Sequence, residues 1–141
     1  MSNTQDSAFV LNPIGQIHST LTVRHGAPRQ GGEGAPDARL EVRPEFVEAV
    51  EGLEVGQEII LLTWLHQAKR ETLKVIPRDE PTNPLTGVFA TRAPDRPNPI
   101  GLHRVTVLGI EDGRWLHVRP LEAIDGTPVV DIKPVLSPSE S

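Results

Sequence analysis

Short apolar runs separated by turn residues recur along the whole chain, and they predict a mostly β protein. Residues 14–19 alternate apolar and polar positions, whereas residues 57–65 are almost continuously apolar, which is typical of a core strand. Residues 72–76 have the same character, so we expect a second core strand there that can pair antiparallel with the first. The full set of predicted strands is 14–19, 39–42, 57–65, 72–76, 87–91, 100–110, 115–118 and 128–135.

One hairpin and one helix are the most sharply defined elements. Asp112-Gly113 separates two apolar runs, and this dipeptide favours the tight turn of a β-hairpin because both residues tolerate positive φ. Pro44 opens a segment with apolar residues at helical spacing, and Gly52 marks its end. Residues 25–38 are rich in glycine and proline and have no periodic apolar face, so we expect an irregular loop.

The composition supports a small β domain and excludes several classes of protein. Fourteen prolines and twelve glycines in 141 residues are too many for a helical bundle, since neither residue suits a helix interior. Without cysteine, neither disulfides nor a thiolate metal site can form. The apolar runs are too short to span a membrane and residues 1–9 lack a secretion signal, so we expect a cytoplasmic protein. We expect one domain over residues 9–136, with disordered segments at 1–8 and 137–141.

Charge is distributed unevenly along the chain. The 14 Lys and Arg against 19 Asp and Glu give a formal net charge of −5, which argues against nonspecific coating of nucleic acid by the whole surface. Residues 64–104 nevertheless hold seven basic residues against four acidic ones, whereas residues 44–63 hold five acidic residues and no basic one. An anionic partner is therefore expected to bind at the central, net positive part of the chain.

Familiar signatures of catalysis and nucleotide binding are missing, and the five histidines are scattered without ligand spacing, so we expect no metal. A proline-rich run, TRAPDRPNPIG from Thr91 to Gly101, remains to be explained. Three prolines stiffen this loop, which can hold Arg92, Arg96 and Asn98 in fixed directions for a ligand. The alternative is that the loop is a rigid connection between strands and that its arginines only contact solvent. Taken alone, the DGTP segment at residues 125–128 favours an ordinary turn.

Four motifs carry a resemblance to a known family: APRQ at residues 27–30, WLH at 64–66, GVFATRAPDRPNPIGL at 87–102 and DGTPVVDIKP at 125–134. Together they resemble the TsaA-like family, also called TrmO or YaeB, from about Pro13 to Pro134. Family members methylate N6 of threonylcarbamoyladenosine at position 37 of certain tRNAs. Sixteen nearly contiguous residues in the third motif make the resemblance far more specific than a lone short motif.

The resemblance implies a small β-barrel with one short helix and long functional loops, with S-adenosylmethionine bound close to the interface of a homodimer. It implies a tRNA anticodon loop as the substrate, and neither a metal nor a membrane. The implied cofactor-binding residues are Arg29, Gln30, Trp64, Leu65, His66, Thr91, Arg92, Arg96, Asn98, Ile100, Gly101 and Leu102. The implied substrate-binding residues are Arg92, Arg96, Asp125, Thr127 and Lys133. The candidates for a catalytic base are Asp131 and His66.

The chain departs from the family pattern at two positions and in its length. The family usually has tyrosine after DIKP and serine after PNPIGL, where this chain has Val135 and His103. Longer members also carry a C-terminal extension thought to help grip the tRNA, which is not expected here. These departures keep two alternatives open: methylation of a small molecule, and a non-catalytic module that binds S-adenosylmethionine.

Overall fold

Six antiparallel strands close into a barrel. The computed structural model describes residues 8–22, 36–77 and 80–137. The strands in chain order are β1 Gly15–His18, β2 Ala38–Val42, β3 Glu58–Trp64, β4 Lys74–Val75, β5 Thr86–Gly87, β6 Ile100–Glu111, β7 Trp115–Arg119 and β8 Pro128–Pro134. The 3₁₀ helices are Pro44–Val50 and Val88–Ala90. Around the barrel the strands follow the order β1-β2-β7-β6-β3-β8. The prediction of a small, mostly β barrel is thus confirmed, and the helix predicted from Pro44 is the longer of the two 3₁₀ helices.

The barrel interior is built by the period-two pattern of the strands. In β3, Ile59 and Leu61 are fully buried, while the residues between them are only partly buried on the outer face. The same alternation places Val105 and Val107 of β6 in the core. Branched aliphatic side chains therefore fill the small barrel, as expected for a closed sheet of this size.

The hairpin between β6 and β7 forms as predicted. Asp112 has φ 52° and Gly113 has φ 68°, the two positive φ values that a tight turn between right-twisted strands requires. The helix predicted from Pro44 also forms, as a 3₁₀ helix that ends at Val50. Within the residues that the structure describes, no helix has the length and apolar composition needed to cross a membrane.

Two strand predictions were wrong in part. Residues 72–76 were expected to form a core strand beside 57–65, but only Lys74–Val75 is extended, and it pairs with Thr86–Gly87 in a separate two-stranded sheet. The physical reason is that β6 and β8 occupy both edges of β3, so the closed barrel leaves no edge for another strand. Of the strand predicted over 87–91, residues 88–90 form a 3₁₀ helix instead.

Candidate functional site

The strand register brings three of the four motifs together at the end of β3. Thr63 pairs with Gly101 of β6 on one side and with Val129 of β8 on the other. Trp64 pairs with Ile100, and the Leu65 amide donates to the Pro99 carbonyl at 2.8 Å. The WLH, PNPIGL and DGTPVVDIKP segments are therefore neighbours in space. The fourth motif, with Arg29 and Gln30, lies outside the described residues.

Arg96 holds the loop before β6 in one conformation. Its guanidinium donates to the carbonyls of Val88 at 2.8 Å, Ala93 at 2.9 Å and Thr91 at 3.1 Å. The Thr91 hydroxyl also donates to the Val88 carbonyl, at 2.9 Å, and accepts the Ala93 amide. The contacts made by Arg96 and Thr91 are thus structural ones, and their roles in binding a ligand remain predictions.

Arg92 differs from Arg96 in that its side chain is exposed and makes no hydrogen bond or ion pair with any residue in the ranges 8–22, 36–77 and 80–137. In the same stretch of chain, residues 88–102, Phe89 is 84% exposed, and Ile100 and Leu102 are about half exposed. A cation beside exposed apolar and aromatic side chains fits a ligand that joins a base to a carboxylate, as S-adenosylmethionine does. We call the region formed by Phe89, Arg92, Ile100 and Leu102 the loop surface.

Sequence reasoning missed Arg70, which donates two hydrogen bonds to the same loop. Its Nε donates to the Pro97 carbonyl at 2.8 Å, and its Nη2 donates to Asn98 Oδ1 at 3.0 Å. The guanidinium also lies 5.1 Å from the centre of the Trp64 ring, in a cation–π contact. The only signal in the sequence was the net positive charge of residues 64–104, which did not single out this arginine.

The two candidates for a catalytic base have different surroundings. His66 is exposed and follows the end of β3. Asp131 is partly buried on β8 opposite Leu62, with one carboxylate oxygen 3.0 Å from Lys133 Nζ and the other accepting the Ile132 amide. No hydrogen bond joins His66 to Asp131 in the part of the chain that is described, and a catalytic role of either remains a prediction.

The DGTP segment forms a turn held by its own side chains. Asp125 Oδ1 accepts the Ser19 amide at 3.0 Å, and Gly126 has φ 84°. The Thr127 side chain is buried, and its hydroxyl donates to the Ile124 carbonyl at 2.7 Å. These contacts agree with the interpretation as a turn, and a substrate contact by Asp125 or Thr127 remains a prediction.

A surface cavity of about 330 Å³ lies elsewhere, near β1 and the start of β7, and includes none of the residues predicted to bind the cofactor or substrate. Its lining residues are Pro13, Gly15, Gln16, Glu41, Arg43, Pro44, Arg114, Gly126 and Pro128. Gly126 and Pro128 of this lining flank Thr127, whereas the described residues predicted to bind the cofactor lie at the end of β3 and in residues 91–102.

Known proteins are similar to this chain in sequence, and solved structures are similar to it in fold. A family model described as the tRNA-methyltransferase O N-terminal domain matches residues 16–141. A protein of Archaeoglobus fulgidus named S-adenosyl-L-methionine-binding protein is 41% identical over 125 residues, which cover 89% of this chain and 88% of that protein. A protein of Methanothermobacter thermautotrophicus, named a probable S-adenosyl-L-methionine-binding protein, is 44% identical over 129 residues, 92% of this chain and 91% of its own length.

Solved structures of TrmO from Pseudomonas aeruginosa have the same architecture. One superposes with a TM-score of 0.76 at 36% identity and another with 0.73 at 38% identity. They cover 99% and 96% of this chain, whereas this chain spans only 60% and 59% of theirs. The family resemblance is therefore confirmed, and S-adenosylmethionine is the cofactor that the names of the relatives give. The chain belongs to the tRNA-methyltransferase O family.

Proposed function

We propose that this chain binds S-adenosylmethionine at the loop surface and transfers the methyl group to tRNA, at N6 of threonylcarbamoyladenosine 37. The observation that carries this proposal is the meeting of three motifs at Thr63, with Gly101 on one side and Val129 on the other. Segments that are far apart in the sequence, and that carry the resemblance to the family, thus lie beside one loop whose conformation Arg70 and Arg96 fix.

When bound, the cofactor supplies a methyl group on a positively charged sulfur, so the protein chiefly has to align the reactants and exclude water. Arg92 is the side chain best placed to pair with a carboxylate, either of the cofactor or of the threonylcarbamoyl group. Phe89 and Leu102 offer apolar area against which a base can stack. His66 and Asp131 remain the candidates for accepting the proton from N6.

A homodimer is part of the same proposal. Further exposed apolar side chains flank the small β4–β5 sheet: Leu73, whose carbonyl accepts the Val88 amide, is 66% exposed, and Leu85 is 62% exposed. Contiguous apolar patches of this kind are rare on monomers and are typical of interaction surfaces. A second copy would cover the patch and complete the cofactor pocket. Sedimentation equilibrium on the purified protein tests this, and a monomer at all concentrations would contradict it.

The proposed activity is tested by methyl incorporation from labelled S-adenosylmethionine into tRNA with and without the threonylcarbamoyl group. We expect incorporation only into the modified tRNA. We also propose that the chain acts in the cytoplasm, where tRNA is modified. Arg92→Ala should raise KM for the cofactor or the tRNA about tenfold or more, the loss expected for one charge-assisted hydrogen bond. Arg119→Ala is the matched control, because Arg119 is an exposed arginine on β7, outside the motif segments, paired with Asp37.

The alternatives give distinct results in the same experiments. Binding of tRNA should weaken strongly between 50 and 200 mM salt, whereas binding of a small neutral substrate should hardly change. Cofactor binding by calorimetry without methyl transfer to any tRNA fraction would instead support a non-catalytic module. Equal transfer to modified and unmodified tRNA would contradict the proposed target base.

A further inference from the structure

A polar cluster lies inside the barrel directly beneath the proline-rich loop. Thr63 is fully buried and His103 is 5% exposed. The Thr63 hydroxyl lies 2.7 Å from His103 Nε2, and His103 Nδ1 lies 2.6 Å from a carboxylate oxygen of Glu122. Buried polar groups cost free energy unless they are paired, and here each side chain pairs with the next.

The absence of a side chain at Gly101 makes room for this cluster. A Cβ at Gly101 would lie 2.4 Å from Thr63 Oγ1 and 2.7 Å from His103 Nε2, too close for either contact to survive. Gly101 belongs to the PNPIGL motif, so the motif and the cluster fit together. The need for glycine at position 101 is not visible in the sequence, because it follows from the positions of Thr63 and His103 in the folded chain.

The cluster also joins the three segments that carry the candidate site. Thr63 lies on β3, one residue before Trp64, and pairs with Gly101 and Val129. His103 lies on β6, and Glu122 lies in the connection that leads to the DGTP turn. A displacement of any one of the three side chains would therefore shift the end of β3, where the Leu65 amide donates a hydrogen bond to the Pro99 carbonyl.

We propose that Thr63, His103 and Glu122 act as one unit of positioning residues, which fixes the loop before β6 in the conformation that binds the cofactor. This inference rests on the function proposed above. We assign none of the three a catalytic role: Thr63 and His103 are buried, and the Glu122 side chain, 17% exposed, has one carboxylate oxygen 2.6 Å from His103 Nδ1. Their effect on the reaction passes through the backbone of residues 98–102.

The test compares Thr63→Val and Glu122→Gln with Ile59→Val. Thr63→Val removes only the hydroxyl, and Glu122→Gln removes the charge with little change of shape. Ile59→Val is the matched control, because Ile59 is a fully buried residue of the same strand, four positions away and outside the cluster. Thermal unfolding of all three, followed by circular dichroism, establishes that each variant folds.

Two readouts separate positioning from a general loss of stability. Hydrogen exchange of the Leu65 amide in the ligand-free protein should be at least tenfold faster in both cluster variants than in the control. The Kd for S-adenosylmethionine, measured by calorimetry, should rise about fivefold, as the loss of one hydrogen bond predicts. The double variant should bind no more weakly than the worse single variant, because side chains of one unit are not additive.

Substitutions of His103 test the two bonds separately. His103→Asn can place its amide near the position of Nδ1 and keep the bond to Glu122, whereas His103→Gln can reach toward Thr63. Partial recovery of cofactor affinity by either, relative to His103→Leu, supports the proposal.

Exchange and Kd values equal to those of Ile59→Val in the cluster variants would overturn the proposal, and the proposed function would stand. Failure of the wild-type chain to bind S-adenosylmethionine would overturn both the proposed function and the cofactor role of the cluster. Hydrogen exchange would still decide whether the cluster holds the loop.

Discussion

Arg96 and Arg92 lie four residues apart in one loop, yet the structure gives their side chains different surroundings, and the consequence for stability can be measured. Arg96 donates three hydrogen bonds to backbone carbonyls, whereas Arg92 is exposed and has no partner within the described ranges. Arg96→Ala should therefore destabilise the protein, and Arg92→Ala should not.

The magnitude follows from the three bonds. At roughly 0.5–1.5 kcal/mol each, they contribute about 1.5–4.5 kcal/mol in total. The carbonyls lie in a surface loop and regain water when the arginine is removed, so we expect the lower part of this range, about 2 kcal/mol. For a chain of this length, that corresponds to a fall in Tm of about 6–10 °C. Arg96→Lys should cost about half as much, because one ammonium group cannot reproduce the planar fork that reaches three carbonyls.

Urea unfolding followed by circular dichroism measures the free energy of unfolding, with Arg92→Ala as the control, expected within about 0.5 kcal/mol of the wild type. Calorimetric titration with S-adenosylmethionine then measures the binding affinity of each variant. Arg92→Ala should weaken binding without loss of stability, whereas Arg96→Ala should lose both. Equal urea midpoints for Arg96→Ala and Arg92→Ala would refute the assignment of Arg96 to the loop structure.

Two further predictions concern the side of the barrel formed by β1 and β2. Gly15→Ala should destabilise the protein by about 3 kcal/mol or more in urea unfolding, because its Cβ would lie 2.2 Å from the backbone carbonyl oxygen of Glu41; Gly87→Ala, where nothing lies within 4 Å, should be nearly neutral. Hydrogen bonds with His18 and Arg114 lower the pKa of Glu41 below its usual 4.5. Its contribution to stability is therefore present above pH 4.5 and is lost as pH falls through the folded-state pKa, so Glu41→Gln should flatten the stability profile in that acidic range. An NMR titration of the Glu41 carboxyl checks the direction, and a pKa at or above 4.5 would contradict it.

Local signals in the sequence predicted the elements whose determinants are local. The β6–β7 hairpin follows from two residues that tolerate positive φ, Asp112 and Gly113. The strand over Glu58–Trp64 follows from a continuous apolar run between turn residues. In both cases the residues that decide the structure are adjacent along the chain, so no knowledge of the tertiary fold was needed.

The strand prediction for residues 72–76 failed because it required an unpaired edge on β3, and β6 and β8 occupy both edges. Residues 72–76 have the composition of a core strand, but their place in the fold depends on the closure of the barrel by β6 and β8 around β3. The composition of a segment does not say whether a partner strand has an unpaired edge. The cluster of Thr63, His103 and Glu122 was missed for a related reason, since its members meet only through strand register.

The hydrogen bonds of the proline-rich loop explain why Arg70 and Arg96 are needed to hold its conformation. Three prolines in residues 94–99 cannot donate hydrogen bonds, so the loop cannot satisfy its own carbonyls through a regular backbone ladder. Guanidinium groups donate to carbonyls in and beside this loop, Arg96 to those of Val88, Thr91 and Ala93 and Arg70 to that of Pro97. Arginine is suited to this task because its donors point in several fixed directions at once. Arg70 and Arg96 are thus engaged in holding the loop, and this is why we predict that substitution of Arg92, and not of Arg96, changes ligand binding without changing stability.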